Sequence, residues 1–366
     1  MEPSHPRSGL PVVLVTGVDD AAMAAATIGL QWDLPHAVVV SHRIDVEAQR
    51  LHRTVSDVSG LLEEEAVDLE HACVSCAIRE DIVPTLRRLA GLERWSAVVA
   101  RLPLSAEASQ VCRVLEGEPR PDLRIAAVVA ALDGATLAET LTGGLLLAEV
   151  GRHCAREDRR GLAEAACGLV EYADVVTVHE DADAAAVDLV RALARPDCIV
   201  LPEGAGLDAR RVVAGLHAHH ATEAWVAETR TAPLPPLPSP TVWRLDLRSD
   251  RPFHPERLHA GLSTLGGGPH RSRGCFWLPS RPGQVCAWDG AGGQVSIGTV
   301  GRWAQRTPRT RLVVTGLCAT VPAAERERIV TAFLLALATE AELRDPPAAW
   351  HTRGDGFEPW LGMTAA

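Results

Sequence analysis

The chain has 366 residues, of which 47% are hydrophobic and 23% charged, and a formal net charge of −11. That length allows two or three domains with a substantial core, and the acidic balance excludes a nucleic-acid binder that works through a broad basic face. Nine cysteines in so long a chain exclude a small disulfide scaffold, and no run approaches the ~18 apolar residues of a membrane span. Met1–Leu10 is polar and Pro-containing, unlike a secretory signal, so the expectation is a soluble, cytoplasmic protein with reduced thiols. Every Lys/Arg position is Arg, and Asn is also absent.

Val12–Gly17 is a short apolar run ended by Gly and reads as a buried parallel strand. Asp19 and Asp20 then open an Ala-rich helix over Ala21–Leu30. Further strands are predicted at Ala37–Ser41, Ala97–Ala100, Ile125–Leu132, Asp174–His179 and Cys198–Leu201, with helices at Arg79–Leu92, Gly161–Tyr172 and Ala184–Ala194. Strands alternating with helices imply a parallel sheet covered on both faces. Ala232–Pro240 is Pro-rich and reads as an extended spacer. Beyond it lie six of the nine Trp, strands at Val242–Leu247, Gly274–Leu278, Val285–Trp288, Val295–Thr299 and Thr310–Gly316, and helices at Pro255–Leu265 and Ala323–Glu340. That order suggests a second, α+β domain with an antiparallel sheet.

The stretch Asp68–Asp81 holds Cys73 and Cys76 at C-x-x-C spacing, with His71 two residues upstream. Such a turn brings two sulfurs within reach of one metal ion. A closed zinc site needs four ligands, so others must come from elsewhere, and His71 is the nearest candidate. The same spacing also suits a redox pair or two buried thiols, and spacing alone leaves the three open.

A phosphate loop needs G-x-x-x-x-G-K-[ST], whose Lys neutralises the phosphates and whose hydroxyl holds magnesium. Counting from Gly17, the second Gly, the Lys and the hydroxyl positions hold Ala22, Met23 and Ala24. Asp19 and Asp20 place negative charge where an anion would sit, against the pull of a helix N-terminus. A chain with neither Lys nor Asn cannot carry the guanine-reading Asn-Lys-x-Asp motif either.

Several stretches together resemble the CobW-type P-loop GTPases, a family of metal chaperones and cobalamin-related proteins. Val12–Gly17 sits where that family has its phosphate-loop strand. Cys73–Asp81 resembles its C-x-C-C metal motif and the helix after it, and Glu171–Val178 resembles the approach to its guanine loop. Arg251–Leu258 and Arg271–Leu278 resemble its C-terminal domain. The resemblance implies a GTPase-like α/β domain over residues 1–231, a linker at 232–240, a smaller α+β CobW C-terminal domain at 241–343 and an irregular tail at 344–366. It implies zinc as cargo with Cys73 and Cys76 as ligands, His71 as a weaker third, and a client metalloprotein as partner, with neither nucleic acid nor membrane involved. The departures matter as much. The magnesium-side Glu falls at Arg101, a loop Gly at Leu104, and the guanine loop at His179–Ala182; the middle cysteine is Ser75. Gly17 is thus a vestigial phosphate-loop residue. Because phosphoryl transfer rests on positioning and electrostatics, GTP with magnesium is not expected to serve as an active cofactor. The alternatives are a GTPase with a non-standard site and a pseudo-GTPase scaffold.

Smaller groups have plainer readings. His217-Ala-His-His220 suits a metal by residue type but reads as a solvated helix end. His254 reads as a packed side chain, Arg271 and Arg273 as ion-pair or cation–π partners, and Glu63–Glu65 as a solvated face.

Overall fold

The computed structural model describes residues 9–71, 73–117, 122–202, 205–344, 350 and 354–363. In chain order the first elements are β1 (Leu10–Gly17), α1 (Asp20–Asp33), β2 (Ala37–Asp45), β3 (Arg50–Asp57), β4 (Gly60–Asp68), α2 (Val74–Ala77), a π-helical turn (Ile78–Ile82) and α3 (Val83–Gly91). Then come β5 (Ala97–Arg101), α4 (Ala108–Gly117), β6 (Leu123–Asp133), α5 (Leu137–Thr142), α6 (Leu162–Tyr172), β7 (Val175–His179), α7 (Ala184–Leu193), β8 (Ile199–Leu201), α8 (Ala209–Gly215) and α9 (His219–Val226). The last are β9 (Val242–Ser249), α10 (Pro255–Gly266), β10 (His270–Phe276), β11 (Gln284–Ala291), β12 (Gln294–Arg302), β13 (Thr310–Leu317), α11 (Ala323–Ala336) and α12 (Glu358–Leu361). The chain forms two compact units. One holds the described residues of Met1–Leu137, Leu146–Arg160 and Ala165–Val226; the other holds Ala138–Leu145, Gly161–Glu164 and the described residues of Ala227–Ala366.

The first unit is built on an eight-stranded sheet in the order β4-β3-β2-β5-β1-β6-β7-β8. From β2 to β8 all neighbours are parallel, and β3 and β4 extend one edge as an antiparallel hairpin. Alternation along the central strands feeds two cores. Val12, Leu14, Val38 and Val40 point to one face with Leu86, Leu89 and Val111. Val13, Val15, Val39 and Val99 point to the other with Met23, Leu30 and Val212. Strands buried on both faces need such unbroken apolar runs, and each fully buried aliphatic side chain stabilises by about 1.5–3 kcal/mol.

The second unit has a five-stranded antiparallel sheet, order β12-β11-β10-β13-β9. Its core joins Trp243, Phe253, Phe276, Trp288, Leu312 and Phe333. Gly274 is required there, because a Cβ would stand 1.9 Å from the Arg311 carbonyl oxygen. Arg257 holds Glu342 through two bonds of 2.8 Å, and buried Arg281 holds Asp355 at 2.7 Å. The helix expected over Ala323–Glu340 stops at Ala336. There Leu337 turns extended, Phe253 and Leu337 form a β-bridge, and Ala338 donates its N–H to the Pro252 carbonyl at 2.9 Å. Part of the expected irregular tail lies outside the described residues; within it, Glu358–Leu361 is a helical turn. Among the described residues no helix is long and apolar enough to cross a membrane.

Candidate metal centre and candidate phosphate loop

Cys73 is the N-cap of α2; its backbone is extended, and its Sγ accepts the Cys76 N–H at 3.5 Å. The cap position leaves Cys73 half-buried, whereas Cys76, one turn on, is buried and Ser75 is exposed. Burial, then the neighbouring Cys73 side chain, pushes the Cys76 thiol up from its ordinary pKa. The Arg79 guanidinium lies 3.8 Å from Cys76 Sγ. His71 is exposed; its carbonyl takes the Cys73 N–H at 2.8 Å. Glu80, which sequence reasoning left out of the ligand set, contacts Cys76, and its hydrogen bond with Arg79, at 2.8 Å, holds its carboxyl below the ordinary range. Among the described residues no group of three or more His, Cys, Asp or Glu side chains is arranged to hold a metal ion. The candidate donors on this turn are therefore the two thiols alone, too few for a closed four-ligand site.

The expected single helix over Arg79–Leu92 is instead a π turn followed by α3. Pro84 is the cause. It has no N–H for the Glu80 carbonyl, and its ring crowds that carbonyl. The Val83 N–H reaches back to Ile78, a five-residue step. Such a widened turn re-aims its side chains. Asp81 projects into the core, where it meets His42 Nε2 at 3.0 Å and also Arg53 and Thr85. Burial opposes charge on Asp81, but the His42 and Arg53 contacts win and lower its pKa.

At the other candidate site only Val18 and Asp19 separate β1 from α1. The helix thus begins three residues before the position where a phosphate loop has its Lys. Buried Met23 occupies that position and lies against Gly17: a Cβ on Gly17 would stand 2.7 Å from Met23 Cγ and 2.5 Å from the Ala131 carbonyl. The glycine accommodates a methionine. Asp19 caps α1 through the Ala22 N–H at 3.0 Å and pairs with Arg152 at 2.9 Å. Arg101, at the expected magnesium-side position, donates to Asp20 Oδ1 at 2.6 Å. Both carboxylates are thus neutralised from within the chain. The Gly17 carbonyl takes the N–H of Ser105, a residue at φ 58°. In the guanine-loop stretch, the His179 carbonyl accepts the Gly134 N–H at 2.6 Å. Beside Asp20 and Met23 opens a cavity of about 440 Å³, lined also by His52, Arg101, His153 and Cys154.

The remaining groups are structural. The expected solvated His cluster is corrected by the fold: His217 is buried in the α8–α9 connection, with Nδ1 3.0 Å from Asp174. His219 and His220 open α9. His254 caps α10 and packs edge-on against Trp350. Arg271 pairs with Asp289, and Arg273 lies 3.7 Å from Glu228. Glu63 and Glu65 lie on β4 and reach Arg88 and Arg53.

Residues 242–334 match the family model of the cobalamin synthesis protein cobW C-terminal domain. That stretch is CobW-like. The chain also carries a largely parallel eight-stranded sheet. Among curated proteins, the chain is 29% identical to "Zinc chaperone Rv0106" of Mycobacterium tuberculosis, over 96% of this chain and 93% of the relative. It is 23% identical to "Zinc-regulated GTPase metalloprotein activator 1" of Dictyostelium discoideum, over 66% of this chain and 55% of that protein. Among solved structures, the Zn(II)-bound YjiA GTPase from E. coli aligns with 90% of this chain and 99% of its own, at 15% identity and a TM-score of 0.36.

Proposed function

We propose that the protein binds and hands on zinc, as a metallochaperone whose nucleotide site no longer hydrolyses GTP. The observation that carries the zinc half is the pairing of Cys73 and Cys76 on one helical turn, beside Glu80. Zinc would be held by the two sulfurs, and Glu80 would have to swing in to serve as a third donor. Thiolates favour zinc over the hard cations, and a site short of four protein ligands leaves a position for the incoming ligand of a client metalloprotein. The relative named a zinc chaperone supports the same reading. The inactive-site half is supported by Met23 against Gly17 and by the Asp19–Arg152 and Asp20–Arg101 pairs. A triphosphate would have to displace a buried side chain and compete with Asp19 and Asp20 for Arg152 and Arg101.

The test is a zinc competition titration on reduced, tagless protein beside the double variant Cys73→Ser/Cys76→Ser. One zinc bound tightly by the wild type and lost in the variant supports the reading; coincident curves overturn it. For the nucleotide half, a ligand that binds only the folded state raises its melting temperature. No shift with millimolar GTP and magnesium is expected, and a clear rise would restore the GTPase alternative.

A further inference from the structure

We infer that Cys73 and Cys76 close into a reversible disulfide, which makes the paired thiols a redox-controlled site whose oxidised form cannot take zinc. The zinc clause rests on the reading above; the disulfide clause stands on geometry alone. The two residues are the N-cap and third residue of one helical start, a spacing that puts their β-carbons about 5–6 Å apart on one side of the turn. A disulfide needs about 3.5–4.5 Å, so closure draws the β-carbons together by about 1–2 Å, and the 3.5 Å bond from the Cys76 N–H to Cys73 Sγ already turns the first sulfur toward the second residue.

Access differs between the two in the way exchange requires. Cys73 is half-buried and open to a small reagent, while Cys76, three residues on, is buried. An incoming oxidant meets Cys73 first, and Cys76 is already placed to resolve the adduct. The other seven cysteines have no partner at this spacing. Most are buried, and burial pushes the thiols of Cys112, Cys198 and Cys286 up to about 12.

The oxidant is a small disulfide of the glutathione type. The Cys73 sulfur attacks one of its sulfurs, the small S–S bond breaks, and the first small thiol leaves. The Cys76 sulfur then attacks the Cys73 sulfur of the mixed disulfide, and the second small thiol leaves. Two protein thiols are oxidised and one small disulfide is reduced to two thiols. The protons lost by Cys73 and Cys76 end on the two leaving groups. Neither sulfur can then act as a thiolate ligand.

The experiment uses the full, metal-free chain in glutathione buffers of stepped redox ratio. Samples are acid-quenched, alkylated and mapped by peptide mass spectrometry, and the same samples are assayed for zinc with a chromogenic indicator. The expected result is one Cys73–Cys76 disulfide, with zinc capacity falling in proportion to it and both changes reversed by dithiothreitol. Cys76→Ser should accumulate a stable glutathione adduct on Cys73, and Cys73→Ser should acquire none at Cys76. The inference is overturned if both thiols stay alkylatable at every ratio, if the wild-type adduct on Cys73 persists, or if Cys73→Ser is modified as fast as the wild type. A disulfide in a protein that binds no zinc when reduced keeps the redox site and sinks the zinc reading. Zinc binding without any disulfide does the reverse.

Discussion

His42 Nε2 lies 3.0 Å from Asp81 Oδ1, so the end of β2 is tied to the π turn that follows the paired thiols. Arg53 completes the clamp from β3. Replacing Asp81 by Asn removes the buried one of Arg53's carboxylate partners and leaves Glu65 in place, and losing a hydrogen bond between charged groups costs about 1.5–3 kcal/mol. Urea unfolding should show that loss. The turn carrying Cys76 and Glu80 should loosen with it, so zinc affinity should fall even though no donor has been removed. Unchanged stability would show that the clamp is incidental.

Two side chains compete to be the third donor. Glu80 touches Cys76, while His71 is exposed. Glu80→Gln should weaken zinc binding by about tenfold, the scale on which groups around metal ligands act. His71→Ala should weaken it less. The reverse order in competition titrations would restore His71 as the third ligand.

Gly17 should not tolerate even a methyl group. Gly17→Ala pushes a Cβ into Met23 and the Ala131 carbonyl, and overpacking of this kind costs about 1–3 kcal/mol. Thermal unfolding should register the loss both with and without GTP and magnesium. Met23→Lys should destabilise further rather than create nucleotide binding, because the ammonium would enter the space of a buried side chain.

Asp158 gives an acid-side signature. Burial opposes its charge, but hydrogen bonds and the charge of Arg160 lower its pKa to about 2. A folded pKa below the unfolded value contributes stability above the unfolded pKa and loses it as pH falls through the folded one. The contribution, about 2 kcal/mol by that linkage, should therefore be present at neutrality and fade between about pH 4 and pH 2. In Asp158→Asn the stability–pH curve should lose this slope. Asp81, also lowered, should act in the same acid window.

His217→Ala separates architecture from metal chemistry. His217 and Arg195 share Asp174 under β7. Removing the imidazole should cost about 1.5–3 kcal/mol, the range for a hydrogen bond to a charged group. Zinc stoichiometry should not change. A drop in bound zinc would return the His217–His220 group to the candidate ligands.

The parallel sheet was legible because Val12–Gly17, Ala37–Ser41 and Ile125–Leu132 are apolar runs whose composition alone demands burial on both faces. The β3–β4 hairpin was not. Its strands alternate Arg, His, Thr and Glu, and their pairing depends on Arg53 and Arg88 reaching acids across space. The absence of the phosphate-loop residues after Gly17 was legible, but the packing of Met23 against Gly17 was not, since sequence does not say which way a methionine turns. The π turn had a signal in Pro84. The inward turn of Asp81 depends on His42, 39 positions away. His217 failed as a surface reading because its partner, Asp174, lies 43 positions away, just before β7.

The outer strand β4 ends the large sheet, and most of its residues are exposed. An open strand edge is a template on which other chains can stack into fibrils. Here Glu63, Glu64 and Glu65 run along it beside exposed Leu61. The acids act as gatekeepers: any molecule laying a strand against this rim would bring its own backbone up to a row of carboxylates. Neutralising Glu64 alone, which leaves the Arg88–Glu63 and Arg53–Glu65 pairs in place, should leave folding largely intact and shorten the protein's shelf life in solution.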